Sequence, residues 1–306
     1  MKTKFVLVSV IVPVYNSDKF VKECLNSISN QHFDSFEVLV SDDASTDKTQ
    51  DILKKYECID NFKIYYRPTN LGITQNCNFL LERAVGKYIC FFAGDDIMLP
   101  GKIRKQFNFM EVNPNFSFSY HLAEIFNAES GKKIRNTKES VKDVDSLITE
   151  MGVPASMSIM ARKSMIPVGF FNNKFNYVSD WLIQIEMATK GDFGCINEVL
   201  CKYRKYGENN GKDISSYEHE FLSVLDFISN KYPKLHVSCS KGKSRYLVGK
   251  SFRVDDNSER REILKHSLKL NFSIKNICIL LASYAPFSKS IFMFIHKHRY
   301  SLKSVL

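Results

Sequence analysis

Through the first third of the chain, short apolar runs alternate with segments whose apolar residues return every three or four positions. These are the patterns of buried strands and of amphipathic helices. Residues 5–14, 36–40, 62–66 and 88–92 predict strands, and residues 18–30, 48–56, 73–84 and 101–111 predict the helices between them. Strands joined by single helices form βαβ units, which implies a largely parallel sheet with right-handed crossovers. Beyond residue 115 the alternation loosens. Residues 116–126 read as a strand, 128–142 as a polar loop or hairpin and 144–151 as a helix, and a further helix entered at Asp180 and Trp181 runs to Lys190. A strand over 198–205 and a polar loop over 206–213 follow, and from Ser215 the pattern is helical. The expected organisation is an α/β domain over 1–213, with halves 1–115 and 116–213, and a helical region over 214–306.

Two of the predicted strands run into paired acids: Asp42 and Asp43 after residues 36–40, and Asp95 and Asp96 after residues 88–92. Adjacent carboxylates at the end of a buried strand repel in poorly screened surroundings, so such a pair calls for a cation or for hydrogen-bond donors. Asp95 and Asp96 also suit a helix cap ahead of Pro100, because Asp favours helix starts and Pro the first helical turn. Repetition favours the first reading. In an open α/β sheet, ligands bind beyond the carboxyl ends of the strands, where two acidic turns converge on one crevice. Neither GxGxxG nor GxxxxGK[ST] occurs, so no dinucleotide fingerprint or P-loop is indicated. Asp180, just before the only tryptophan, suits either a helix N-cap or a site acid.

With 306 residues, 44 % of them hydrophobic, the chain can bury a sizeable core. Eight cysteines include no CxxC pair and no zinc-type grouping with the seven histidines, so they read as reduced, mostly buried thiols of a cytoplasmic protein. The basic start, Met1 to Lys4, leads into an apolar run that meets Pro13 and Tyr15 without a small-residue cleavage site, and reads as a core strand rather than a secretory leader. Charge is unevenly placed: residues 241–306 hold 14 Lys and Arg against 4 Asp and Glu, which accounts for the whole net charge of +10. No acid follows Glu262, and apolar runs at 277–287 and 291–295 are broken by Pro286 and Lys289. Each run is shorter than the ~20 residues that span a bilayer. A basic segment with short apolar stretches suits an anionic membrane surface, and also suits helices that pack on the body with their lysines in water. His296 and His298, flanking Lys297, read as solvated, and no nucleic-acid-binding motif is present.

The order Val8 to Asn16 (VSVIVPVYN), Asp42 to Asp47 (DDASTD), Asn70 to Gly72 (NLG), then Gly86 to Tyr88 (GKY) into Gly94 to Asp96 (GDD) resembles the family-2 glycosyltransferases with a GT-A fold. The resemblance covers roughly residues 5–210. It implies a Rossmann-like, mostly parallel sheet with a nucleotide-sugar site at the strand carboxyl ends, and an inverting enzyme that uses a nucleoside diphosphate sugar with Mg²⁺ or Mn²⁺. Carried over by position, Pro13, Tyr15 and Asp43 contact the nucleotide, Arg67 and the turn from Asn70 to Gly72 border the same pocket, and Asp95 and Asp96 occupy the DxD region, one touching ribose and one the metal. Asp180 matches the family's catalytic base, and Trp181 lines the acceptor side. Three positions depart from the family pattern: Ala93 replaces the first Asp of DxD, Ser179 a Glu that often precedes the base, and Tyr206 the His of a Tyr-Arg-x-His pattern after Tyr203 and Arg204.

The function implied is transfer of one sugar, from UDP in the first instance, to a hydroxyl of a lipid-linked or nascent glycan in O-antigen or capsule assembly, at the cytoplasmic face of the plasma membrane. The alternative is a catalytically inactive sugar-nucleotide or glycan-binding protein of the same fold.

Overall fold

The computed structural model describes residues 5–206, 214–285, 287–288 and 290–295. Two compact units divide the chain, Met1–Glu220 and Phe221–Leu306.

The first unit opens with β1 (Val8–Val14), α1 (Val21–Ser29), β2 (Phe36–Asp42), α2 (Thr49–Leu53), β3 (Phe62–Tyr66), α3 (Ile73–Arg83) and β4 (Tyr88–Phe91). It continues with β5 (Ile97–Met98), α4 (Lys102–Val112), β6 (Phe116–Asn127), β7 (Lys133–Asn136), α5 (Val144–Thr149), β8 (Met160–Arg162), α6 (Ser179–Ala188) and β9 (Asp192–Lys205). The strands form one sheet in the order β3-β2-β1-β4-β8-β6-β9-β5, with β7 on β6. β3, β2, β1 and β4 are mutually parallel, β6 runs parallel to β9 along its whole length, and three-residue β8 is wedged antiparallel between β4 and β6. Most of the paired length is therefore parallel, as the βαβ pattern predicts.

Alternation in the strands decides what covers each face. Val8, Val10, Val12, Val38, Val40 and Cys90 pack with Val21, Cys24, Leu25 and Ile28 of α1 and Ile103 of α4 in the main core. Ile11 and Leu39 point to the other face, and both are fully buried. Register then places the acidic turns. Val14 pairs with Asp42 and Ile11 with Phe91, so β1, β2 and β4 release their chains at the same end of the sheet. Helix α4 starts after Gly101, in a left-handed conformation at φ +82°, with no side-chain cap, so Asp95 and Asp96 do not cap it.

The polar stretch 128–142 contains the hairpin partner β7. β9 begins at Asp192 rather than 198 because its pairing with β6 reaches back to Phe116. The first strand begins at Val8 rather than 5.

α7 (Ile214–Lys231) crosses the division between units, and the second unit adds α8 (His236–Ser251), α9 (Asn257–Leu270) and α10 (Ile274–Ala282). Asp256 caps α9 by accepting Glu259 N–H at 2.7 Å. Ser244, Ser267 and Asn276 form a buried hydrogen-bonded cluster joining α8, α9 and α10. Arg260 is fully buried, donates to Ser251 O at 3.0 Å, and lies over the Phe292 ring at 4.7 Å. Among the described residues no helix is long and apolar enough to cross a membrane. Pro286, Lys289, His296, Lys297 and His298, and residues 207–213 of the predicted polar loop, lie outside the described residues. All eight cysteines are free, with five buried.

Candidate functional site

At the end of β2 the two acids diverge in role. Asp42 is buried, and its Oδ2 accepts Ser45 N–H at 3.1 Å and Gln50 Nε2 at 2.8 Å, which fixes the following turn. Ala44 in that turn adopts φ +61°, a conformation rare outside glycine that the surrounding bonds must hold. The neighbouring β1 turn is laced to it, with Asn16 N–H donating to Ser45 Oγ at 2.8 Å and Thr46 N–H to Asn16 Oδ1 at 2.9 Å. Asp43 faces away from this lattice. Its carboxylate accepts Leu71 N–H at 3.1 Å and Gly72 N–H at 2.8 Å, so the turn from Asn70 to Gly72 folds around it. Gly72 sits at φ +84°, where a side chain is disfavoured, and opens α3.

The β4 end approaches β1 closely. A Cβ on Gly94 would lie 2.4 Å from Val14 Cγ1, so only glycine lets the acidic turn pass there. Asp95 and Asp96 then point to different places. Asp95 lines the crevice, its Oδ2 accepting the Tyr206 hydroxyl and its carbonyl accepting Arg204 Nε at 2.7 Å. Asp96 is 1 % exposed, and its Oδ1 accepts Arg204 N–H at 2.8 Å. Burial first, and then the Asp95 charge, push its carboxyl well above the usual carboxylate range. Arg204, itself buried, pairs with Glu23 and stacks between Phe20 and Phe126, at 4.6 and 4.8 Å from the ring centres. Tyr206 stacks on Phe20 at 5.4 Å, and burial followed by Asp95 raises its phenol, so its hydroxyl is a hydrogen-bond donor.

Two joined cavities fill the crevice. The smaller, about 350 Å³, is lined by Pro13, Tyr15, Asp43, Asn70, Gly72, Asp95 and Tyr206, among others. The larger, about 610 Å³, shares Pro13, Gly72, Ile73 and Ala93 with it and carries Asp180 and Ser156. Asp180 stands in the first turn of α6, exposed, its Oδ2 accepting the Ser156 hydroxyl at 2.6 Å and its Oδ1 accepting Trp181 N–H at 2.9 Å. Cys77 of α3, in the wall of the larger cavity, has its thiol pushed up to about 12 by burial first, then by the charges of Asp180 and Asp43.

The structure therefore gathers Pro13, Tyr15, Asp43, Asn70, Gly72 and Asp95 in one cavity and Asp180 in the adjoining one. Three expected positions differ. Arg67 lines neither cavity; its guanidinium stacks on Phe79 at 4.3 Å and its backbone continues the β2–β3 pairing. Trp181, expected on the acceptor side, is 3 % exposed and lines neither cavity; its indole N–H is held by Leu147 O at 2.9 Å and fastens α6 to α5. Asp96 lies inside the protein, committed to Arg204, and lines neither cavity, which leaves Asp95 as the crevice-facing acid of the pair. Among the described residues no group of three metal-ligating side chains occurs. The donor set nonetheless fits a magnesium-like ion, which commonly takes one or two carboxylates and completes its shell with substrate phosphates and water.

The model of "Glycosyl transferase family 2" matches residues 9–168. TuaG of Bacillus subtilis, a glycosyltransferase named for teichuronic acid biosynthesis, is 40% identical over 233 residues, 75% of this chain and 90% of TuaG. An uncharacterised glycosyltransferase of Rickettsia felis is 30% identical over 227 residues, 73% of this chain but 37% of that protein, so the chain spans little more than a third of it. The crystal structure of Staphylococcus aureus TarS 1-349 overlays with a TM-score of 0.67 at 18% identity, covering 97% of this chain and 92% of that one, and the fold is shared with its UDP-GlcNAc complex at a TM-score of 0.66. The mannosyltransferase PcManGT from Pyrobaculum calidifontis, in complex with GDP-Man and Mn²⁺, overlays with a TM-score of 0.59 at 14% identity, covering 96% of this chain and 88% of that one.

Proposed function

The chain belongs to glycosyl transferase family 2, and from that premise we propose that it moves a sugar from a UDP-sugar to a hydroxyl of a lipid-linked or nascent surface glycan, inverting the anomeric configuration. The observation that carries this is the joining of the Asp43–Asp95 cavity to the cavity bearing Asp180. Asp43 and the turn from Asn70 to Gly72 hold the nucleoside, with Tyr15 and Pro13 beside it. Asp95 would hold a divalent cation, which when bound offsets the charge of the departing diphosphate. Asp180 accepts the proton of the acceptor hydroxyl as that oxygen bonds to the anomeric carbon, opposite the breaking bond to the nucleoside diphosphate. TuaG supports an acceptor in cell-surface polysaccharide assembly, and the TarS complex supports UDP as the carrier.

Residues 214–306 complete the proposal as a region that rests on an anionic membrane surface. Supporting it are the 14 Lys and Arg of residues 241–306 and the exposed Phe272, Ile274, Leu281 and Phe294.

The test is nucleotide release by the purified chain across UDP-, GDP- and dTDP-sugars, with Mn²⁺ or with EDTA. Metal-dependent release of UDP from one donor is the expected result. Release from no donor, with or without a glycan acceptor mixture, while UDP still binds, would leave a binding protein instead.

A further inference from the structure

The larger cavity is more apolar than sugar transfer alone requires. Phe91, Phe92, Met157, Phe171, Ile183 and Met187 build its apolar wall, with Asp180 at the same cavity. Several polar groups around it already have partners. Thr74 Oγ1 lies 3.1 Å from Ser179 Oγ and 3.3 Å from Phe175 O, Gln184 Oε1 accepts Val153 N–H at 2.9 Å, and Ser156 donates to Asp180. A sugar with a hydroxyl on every ring carbon would set some of them against this wall unpaired, which is costly, whereas an apolar substituent would gain by burial there.

Such a substituent could belong to the sugar, or the apolar group could be the isoprenoid of a lipid carrier. Charge separates the two. A carrier lipid joins its sugar through a diphosphate, and among the described residues lining this cavity there is no Lys, Arg or His, while Asp180 is an acid. A diphosphate drawn in behind the lipid would be desolvated without a counter-charge and repelled by Asp180.

Resting on the sugar-transfer reading of Asp180, we propose that this cavity selects an acceptor sugar bearing a methyl group, as a 6-deoxy carbon or an N-acetyl substituent, seated against the wall of Phe91, Met157, Phe171 and Met187. The lipid then lies outside the cavity.

Saturation-transfer NMR on the full chain with UDP present tests this, using methyl 6-deoxyglucoside and methyl N-acetylglucosaminide, each against methyl glucoside, with geranyl phosphate as competitor. At least one methyl-bearing sugar should bind about tenfold more tightly than its parent, the scale of a methyl-sized group in an apolar pocket, with strongest transfer at the methyl protons. Met157→Gln should remove that preference while UDP affinity holds. Equal affinities, no glycoside binding, or displacement by geranyl phosphate alone would each overturn the proposal and leave donor binding standing. Failure to bind UDP at all would remove the sugar-transfer reading along with it.

Discussion

Ser156 donates its hydroxyl hydrogen to Oδ2 of Asp180 across 2.6 Å, and the other carboxylate oxygen accepts Trp181 N–H. Gln184 Nε2 in turn donates to Ser156 Oγ at 3.4 Å, and its Oε1 is held by Val153 N–H. Both oxygens of the acid are thus aimed by neighbours that trace back to the main chain. A solvated carboxylate on a flexible loop would lack that aim.

If Asp180 is the base, Asp180→Asn should lower turnover by about 10²–10⁴-fold, the usual contribution of a positioned base, with UDP-sugar affinity by calorimetry unchanged. Ser156→Ala should cost less, on the order of tenfold in kcat, in keeping with loss of one hydrogen bond to a charged group, and Ser156→Thr should restore most of it. A loss of donor affinity matching the loss of rate would assign both residues to folding.

Asp43 makes a separate prediction, because the same carboxylate both folds the turn from Asn70 to Gly72 and faces the smaller cavity. Asp43→Ala strands Leu71 N–H and leaves Gly72 N–H only Asn70 Oδ1, so both UDP affinity and Tm should fall: affinity by about tenfold or more, and stability by roughly 1 kcal/mol. A fall in Tm with UDP affinity intact would confine Asp43 to the turn.

The site halves differ in how legible they were. Asp43 and Asp95 follow strands whose apolar runs are unmistakable, and strand-end turns are local, so pattern and spacing place them together, whereas Gly72 joins them only through the family resemblance. Ser156 and Gln184 meet Asp180 only because α6 packs beside the 156–158 turn, a relation between distant segments with no periodicity to announce it. Trp181 misleads for a related reason. Eight of the ten residues of α6 are buried, so no polar stripe marks which side of the helix meets the cavity. Asp95 and Asp96 are adjacent in sequence, and their division of labour depends on Arg204, more than a hundred residues later. β8, only three residues long, is too short to signal a strand.

The division between Asp95 and Asp96 is itself testable. Asp95→Asn should weaken Mn²⁺-dependent UDP binding by about tenfold, because the crevice-facing charge is gone. Asp96→Asn should leave UDP binding and Tm nearly unchanged: burial already favours the neutral acid, and Asn keeps the oxygen that accepts Arg204 N–H. Asp96→Ala removes that acceptor and should cost roughly 1–3 kcal/mol of stability. Equal loss of metal response in Asp95→Asn and Asp96→Asn would restore the pair as joint ligands.

Acid sensitivity should centre on Glu37, which is 3 % exposed and joins Lys63 at 2.8 Å, Ser9 Oγ at 2.6 Å and Val85 N–H at 3.0 Å. Burial pushes its carboxyl up, but these bonds outweigh burial and hold it below its ordinary 4.5. An acid depressed in the folded state stabilises it fully above the unfolded value, and that stability drains as pH falls through the folded one. Wild-type Tm should therefore drop on acidification below the ordinary Glu range, and Glu37→Gln should start lower and flatten that drop. A variant with the same acid slope as wild type would move the effect to other carboxylates.

Membrane contact gives the last prediction, and exposure decides which residues test it. Phe272 and Ile274 are each 76 % exposed and Leu281 64 %, on or beside α10, in a stretch of chain without acids after Glu262. Apolar side chains held in water at such exposure gain by entering a lipid interface, and the basic excess adds attraction to anionic headgroups that salt screens. The chain should float with phosphatidylglycerol vesicles and far less with phosphatidylcholine, and binding should weaken as salt rises. Replacing Phe272, Ile274 and Leu281 together by Ser should reduce flotation about tenfold or more, at about 0.8 kcal/mol per buried CH₂ withdrawn from the interface, without lowering Tm. If the triple variant floats as well as wild type, α10 does not face the bilayer; if Tm falls instead, these side chains belong to an interface within or between proteins.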